Sequence, residues 1–279
     1  MPELPEVEVT RLGLLPHLPG RRVVSVRWSN RRLRLPMPRG LLREWIRGHT
    51  IDTIDRRAKY LLIRMRHGSV LLVHLGMTGR LGIFAGDAPK QRHDHLCLAL
   101  DNGMELRFND SRRFGSITVW PGDHAARLEK EFSARQGIEP FSDAFTGDHL
   151  LALARRRRQP VKTLLMHSGI IAGIGNIYAN EILHAAAIHP ATPADRLDLR
   201  QWQCLARAGR RILADAIRAG GSTISDYLNA SGAPGYFQLR LCVYGRKGDP
   251  CPTCGTPIRR TMLGGRATFF CPGCQHRED

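Results

Sequence analysis

Two Cys-x2-Cys pairs near the C-terminus constrain this sequence more than any other feature. Cys251 and Cys254 are followed by 16 residues and then by Cys271 and Cys274, a spacing that matches a four-thiolate zinc ribbon. Soft thiolates in a tetrahedron select zinc, and four protein ligands leave no open position on the ion, so the metal is structural. Chance pairing and a redox dithiol compete with this reading. Both pairs, however, lie in Gly/Pro-rich knuckles, at 250–255 and 271–274. A segment this short cannot bury enough surface to fold unaided. Zinc supplies the missing free energy, ~10–16 kcal/mol apparent in peptides of this kind. Cys97, Cys204 and Cys242 are scattered, so free thiols in a reducing compartment are expected, not a disulfide framework.

Charge narrows the partners. Lys and Arg total 42 against 25 Asp and Glu, a formal net charge of +17 on 279 residues. Such a chain attracts polyanions, nucleic acid first and an anionic membrane surface second. No basic amphipathic anchor or lipidation motif supports the membrane. No run approaches the ~18 consecutive apolar residues of a membrane span. The opening residues carry acids and no basic stretch, so no secretory signal is expected and the protein reads as cytosolic. A hydrophobic content of 42% excludes global disorder, and the length suggests about two domains at ~150 residues each.

Patterning changes half-way. Arg22–Trp28, Lys59–Met65, Ser69–Leu75, His95–Leu100, Met104–Phe108 and Ser116–Trp120 read as short strands. His67-Gly68 and Asp101-Asn102-Gly103 mark hairpin turns, so a β-sandwich or barrel is expected. Helices are expected over Asp148–Arg158, Val161–His167, Asn176–Ala187 and Leu197–Ala219, the last stopped by Gly220-Gly221. Asn229–Gly235 reads as a loop, and the domain boundary falls near 135–147. Between the cysteine pairs, Arg259, Arg260 and Arg266 with Gly264-Gly265 form a hairpin suited to DNA phosphates.

The N-terminus carries a second chemistry. A small second residue permits removal of Met1, which frees the Pro2 nitrogen. An α-amine with a pKa of roughly 7.7–8 is partly neutral at physiological pH and forms Schiff bases. Glu3 and Glu6 lie close in sequence and could serve acid–base work. Proline and glutamate in a first helical turn are also ordinary capping residues, so spacing alone leaves both readings open.

Seven motifs in order, spanning residues 2 to 275, resemble the bacterial formamidopyrimidine-DNA glycosylase (MutM) family. They are Pro2–Glu8, Arg57–Leu62, His74–Gly79, Asn109–Gly115, Gly173–Glu181, Val243–Gly248 and the finger from Gly264 to Gln275. The resemblance implies an α+β protein of two lobes with duplex DNA in the cleft between them. One lobe is an N-terminal helix on a β-sandwich; the other is a helix–two-turn–helix domain with a C-terminal four-cysteine zinc finger. The corresponding divisions are 1–135, 136–240 and 241–275.

It further implies base-excision repair of oxidised purines, 8-oxoguanine and formamidopyrimidines, with cleavage at the abasic site by β,δ-elimination. The substrate is double-stranded DNA carrying oxidised purines or abasic sites, and the enzyme is a monomer. One structural zinc and no catalytic cofactor are implied, in a cytoplasmic protein associated with the nucleoid. Catalytic positions are Pro2, Glu3, Lys59 and Arg266, with Glu6 supporting. DNA contacts are His93, Arg112, Arg157, Lys162 and Asn176. The void left by an extruded nucleotide is filled by Met77, Arg112 and Phe114. The exposed N–H groups of a helix starting at Asn176 suit a phosphate. The ordinary reading of Arg155–Arg158 is a solvated helix face, and that of Met77 or Phe114 is core packing. Flanking Gly76, Gly79 and Gly115 favour exposed loop tips instead.

Where the family often has Thr, Gly and Pro, this sequence has Val9, Ala58 and Ser111. The segment Ser222–Tyr236 corresponds to the family's variable lesion-capping region. The rival readings are an endonuclease VIII-like glycosylase of oxidised pyrimidines and a catalytically silent zinc-ribbon DNA-binding protein.

Overall fold

The computed structural model describes residues 2–220 and 241–276. These group into two compact units, the first ending at Ala134 and the second joining Arg135–Ala219 to 241–276. The expected loop Asn229–Gly235 and the segment Ser222–Tyr236 lie outside the described residues.

The first unit opens with α1 (Leu4–Leu14), followed by β1 (Val23–Trp28), α2 (Arg39–Trp45), β2 (Ile51–Arg57), β3 (Tyr60–Met65) and β4 (Val70–His74). It continues with β5 (Arg80–Ala85), β6 (Asp94–Leu100), β7 (Met104–Asn109), β8 (Ser116–Trp120) and α3 (Ala125–Ala134). Two antiparallel four-stranded sheets result, ordered β1-β6-β7-β5 and β2-β3-β4-β8. Their inner faces share one core. Leu61, Ile63, Leu71 and Val73 come from one sheet, Leu81, Leu98, Leu106 and Phe108 from the other, and Val7 and Leu14 from α1.

β3 and β4 read as unbroken apolar runs because both faces of their sheet are covered. The alternate residues Leu62, Val70, Leu72 and Trp120 form a second cluster with Ala125, and Leu128 and Phe132 pack against it from α3. A bidentate pair from Arg64 to Glu129 (2.6 and 2.8 Å) ties α3 to β3.

Apart from α1, which the resemblance implies, four elements of this unit escape sequence patterning. In β2, Ile51 and Ile54 are both buried although three apart, which violates a period of two; a bulge between Ile51 and Thr53 restores the face. β5 is interrupted by Gly82, α2 is only seven residues long, and α3 shows a narrow stripe in a charged helix.

The second unit contains α4 (Gly147–Ala154), α5 (Val161–Leu165), α6 (Asn176–Ala185), α7 (Leu199–Arg218) and the hairpin β9 (Arg259–Leu263)–β10 (Arg266–Phe270). α7 starts at a capping box formed by Asp198 and Gln201 (2.7 and 2.9 Å) and buries Trp202, Leu205, Gly209 and Leu213. α4 stops four residues short of the expected end at Arg158. Arg155 turns extended and Arg156 adopts a left-handed φ of 64°, so the arginine run is an exposed knuckle beyond the helix. No helix among the described residues is long and apolar enough to cross a membrane.

Candidate active site and nucleic-acid interface

The N-terminus of α1 is held from both sides. Glu3 is its N-cap and is buried, and the Glu6 carboxylate accepts the Glu3 backbone N–H at 2.8 Å. Glu6 therefore fixes the residue that follows Pro2, which is itself half-buried. α1 packs on β2, β3 and β5. Glu8 on α1 pairs with Arg56 on β2 (2.9 Å) and with Arg11 (2.7 Å). Burial raises the Glu8 carboxyl, but the two guanidiniums more than offset it and leave it below the usual carboxylate range.

Lys59 sits at the tip of the β2–β3 hairpin. The pair Arg57↔Tyr60 leaves Ala58 and Lys59 as a two-residue turn, with Ala58 in the left-handed region at φ 53°. A turn of this kind wants glycine at its first position, which accounts physically for the family's preference where this chain has Ala58.

Tyr60 pairs across the sheet with His74, their rings 4.7 Å apart. Burial pushes the His74 imidazole down to about 4, the Arg34 and Lys59 charges act in the same direction, and Asp110 opposes them. The neutral ring accepts the Gly76 N–H on Nδ1 at 3.1 Å, which leaves its proton on Nε2. An unfolded histidine protonates near 6.5 and this one near 4, so between those values the unfolded state binds more protons. Stability should fall as pH drops through that window, by up to about 3 kcal/mol. Urea unfolding at pH 7 and pH 4.5 checks this. Wild type should lose more than His74→Gln, and equal losses would remove His74 as the cause.

Two loops at this end of the sandwich carry the other candidates. Met77 lies in the β4–β5 loop and Phe114 in the β7–β8 loop, 37% and 46% exposed, as their glycine flanks imply. The Arg112 guanidinium lies 4.9 Å from the centre of the Phe114 ring, and Arg113 between them is left-handed at φ 60°. His93 ends the β5–β6 loop and its carbonyl accepts the Asp110 N–H at 3.1 Å. That loop is held from below by the buried Arg107, whose guanidinium bonds the carbonyls of Ala88 (2.7 Å) and Pro89 (2.9 Å).

In the second unit Asn176 is the first residue of α6, after the N-cap Gly175. The finger hairpin turns through Gly264 and Gly265, both at positive φ (54° and 72°), because Leu263↔Arg266 closes a two-residue turn. Arg259, Arg260 and Arg266 are exposed on it, as is Arg157 on its knuckle.

Lys162 departs from its expected place as a DNA contact. It is 1% exposed, and its ammonium bonds Thr268 Oγ1 (2.7 Å) and the Ala267 carbonyl (3.1 Å). A buried charge needs such partners, so Lys162 fastens α5 to the finger. α6 does the same with a row of side chains, of which only Asn176 is singled out from the sequence, and that one as a DNA contact. Asn176 Nδ2 donates to the Ala267 carbonyl (3.0 Å), and Asn180 Oδ1 accepts the Phe269 N–H (2.8 Å). Glu181 accepts the N–H groups of Cys242, Val243 and Tyr244 at 2.8, 3.0 and 2.8 Å. The His184 ring lies 3.4 Å from Cys251 Sγ. The available signal was the recurrence of polar residues at 176, 180, 181 and 184 in a helix that is otherwise mostly apolar.

The four cysteine sulfurs lie within 4.8 Å of one another. A tetrahedral Zn–S bond of ~2.3 Å requires S···S near ~3.8 Å. The pairs 251–274 at 3.9 Å and 254–271 at 3.4 Å fit one structural zinc.

Comparison with known proteins decides the family. Residues 1–117 match the model of the formamidopyrimidine-DNA glycosylase N-terminal domain, 136–227 its H2TH domain, and 248–277 the zinc finger found in FPG and IleRS. The chain belongs to the formamidopyrimidine-DNA glycosylase family. A relative of that name from Alkalilimnicola ehrlichii is 50% identical over 281 residues, covering 99% of this chain and 100% of its own. Among solved family members, a Lactococcus lactis Fpg mutant with DNA containing Fapy-dG superposes with a TM-score of 0.88 at 32% identity. The complex of Lactococcus lactis Fpg with abasic-site DNA gives 0.87 at 32%. Each match covers 99% of this chain and 100% of the other. The family's helix–two-turn–helix module is α4–α7 here, and its finger is β9–β10 with the four cysteines.

Proposed function

We infer that this protein is a base-excision repair enzyme, a bifunctional glycosylase and abasic-site lyase acting on oxidised purines in duplex DNA. The observation that carries the reading is Pro2 and buried Glu3 at the N-terminal end of α1, in a chain matched by the family along its length. The divisions are a catalytic domain at 1–135, a DNA-binding domain at 136–240 and a finger at 241–275. The protein works as a monomer in the cytoplasm, on nucleoid DNA.

The target nucleotide leaves the stack, and Met77, Arg112 and Phe114 occupy the hole. Met77 fills, Phe114 wedges between base steps, and Arg112 bonds the orphaned base. The Pro2 nitrogen attacks the sugar C1′ and displaces the damaged base, while Glu3 protonates the opening ring oxygen. The iminium so formed acidifies the C2′ proton. Its loss expels the 3′ phosphate, and a second elimination expels the 5′ phosphate. Lys59 serves the first elimination and Arg266 the second. Asn176, His93 and Arg157 contact the backbone, the first through the N-terminus of α6.

The test is a duplex with one 8-oxoguanine opposite cytosine, incubated with protein and borohydride and followed by peptide mapping. A covalent adduct on Pro2 is expected. Tight binding with no adduct would instead identify a silent binding protein or retained Met1, which intact mass separates. An adduct formed only with oxidised pyrimidines would move the enzyme to the endonuclease VIII branch.

A further inference from the structure

Both loops that carry the void-filling residues cross from one sheet to the other at the same end of the sandwich. The β4–β5 loop leaves at His74 and enters at Arg80, and the β7–β8 loop leaves at Asn109 and enters at Ser116. The strands they join are hydrogen-bonded partners, so the loops run side by side. Their backbones touch: a Cβ on Gly76 would stand 2.3 Å from the Gly115 nitrogen and 2.4 Å from the Phe114 carbonyl carbon.

A small polar network bridges them. The Thr78 hydroxyl donates to Asp110 Oδ1 at 2.5 Å and accepts the Arg112 backbone N–H at 3.1 Å. Asp110 Oδ2 accepts the Gly115 N–H at 2.8 Å. The hydroxyl has one proton to give, and it goes to Asp110 while the oxygen faces Arg112. Asp110 is fully buried, and its carbonyl takes the His95 Nε2 at 2.9 Å. Its anchorage therefore lies inside the sandwich, while the groups it holds end in exposed Met77, Arg112 and Phe114.

We propose that Thr78 and Asp110 are positioning residues for lesion capture: they lock the two loops into one preassembled wedge, so that Met77, Arg112 and Phe114 enter the duplex together. This rests on the void-filling reading given above. Without the clamp each loop must be ordered separately when the base leaves the stack, and the entropy of fixing backbone residues falls on that step. The clamp acts on extrusion, not on chemistry at the sugar. Its loss slows removal of a base from a duplex and leaves cleavage of an abasic site in single-stranded DNA, where no void forms, unaffected.

The experiment compares Thr78→Val, which keeps the shape and removes the hydroxyl, with Thr78→Ser, which keeps the hydroxyl. Single-turnover excision is measured on a duplex carrying 8-oxoguanine opposite cytosine, with 2-aminopurine as the neighbouring base to report insertion. Thr78→Val should slow excision by roughly 10- to 100-fold and delay the 2-aminopurine signal in proportion. Thr78→Ser should stay near wild type, and both should cleave a single-stranded abasic oligonucleotide at the wild-type rate. In a Met77→Ala, Phe114→Ala background, adding Thr78→Val should cost less than it does in the wild type, because of the three inserting side chains only Arg112 is then left for the clamp to hold.

Wild-type excision by Thr78→Val, alongside slow Met77→Ala, Phe114→Ala, overturns the clamp and leaves the wedge reading intact. Fast excision by Met77→Ala, Phe114→Ala overturns the wedge reading and the clamp with it. An equal loss on single-stranded abasic DNA makes Thr78 a general fold residue and overturns its positioning role.

Discussion

Replacing Pro2 with glycine is expected to leave duplex affinity nearly unchanged and to slow strand cleavage by roughly 10²-fold or more. Glycine retains an α-amine with a pKa near ~8, so loss of basicity is not the cause. Two other properties disappear. The pyrrolidine ring stops rotation about the N–Cα bond, so the nitrogen lone pair has a set direction that the freely turning amine of glycine lacks. The next residue, Glu3, is held by the Glu6 carboxylate at 2.8 Å. A secondary amine also condenses to an iminium with a permanent positive charge, whereas the imine of a primary amine must first be protonated to draw electrons from C2′. Single-turnover cleavage of an 8-oxoguanine duplex, with borohydride trapping and anisotropy binding in parallel, separates these effects from binding. Wild-type cleavage by Pro2→Gly would refute the assignment of the nucleophile.

Removing the zinc is expected to have the largest effect on structure and a uniform effect on DNA. Structural zinc of this type contributes ~10–16 kcal/mol apparent, and the small cluster around Val243, Ile258 and Phe269 cannot replace it. With the hairpin unfolded, Arg259, Arg260 and Arg266 lose their common presentation. Affinity should then fall by the same factor for damaged and undamaged duplexes, because phosphate contacts carry no sequence information. The slope of log K against log salt should shrink by about 0.9 for each lost phosphate contact. Anisotropy titrations over a salt series, with and without a strong chelator, test this; an unchanged slope would take the finger out of the DNA interface. Hydrogen exchange should show loss of protection spreading to the Phe269 amide, which Asn180 accepts.

The sequence was most legible where a structural signal was local. Asp101-Asn102-Gly103 marked the β6–β7 hairpin, and glycines beside Met77 and Phe114 marked exposed tips. It was silent where the cause was distant. The β2 bulge hides a strand, since period-two reading assumes an unbroken ladder. Lys162 is expected among the DNA contacts by resemblance, and nothing local in the sequence corrects this, because its partners, Ala267 and Thr268, lie more than a hundred residues away. Asp110 stood inside a recognised motif without a role, because Thr78 and Gly115 give it one only once the loops meet. The nucleophile was accessible only through family resemblance, since proline and glutamate in a first turn are equally good caps.

The joint between α6 and the finger has one more consequence. Asn176, Asn180 and Glu181 reach main-chain atoms of the finger segment, namely the Ala267 carbonyl, the Phe269 N–H and the N–H groups of 242–244, and Lys162 adds the Ala267 carbonyl and one side chain, the Thr268 hydroxyl. The socket reads the path of the hairpin and is nearly blind to its letters. The outward side chains of β9, including exposed Met262, are thereby released from any duty to the joint. They can drift or be redesigned to retune DNA contact while the finger stays seated, whereas a change at Asn180 or Glu181 would unseat every version of it.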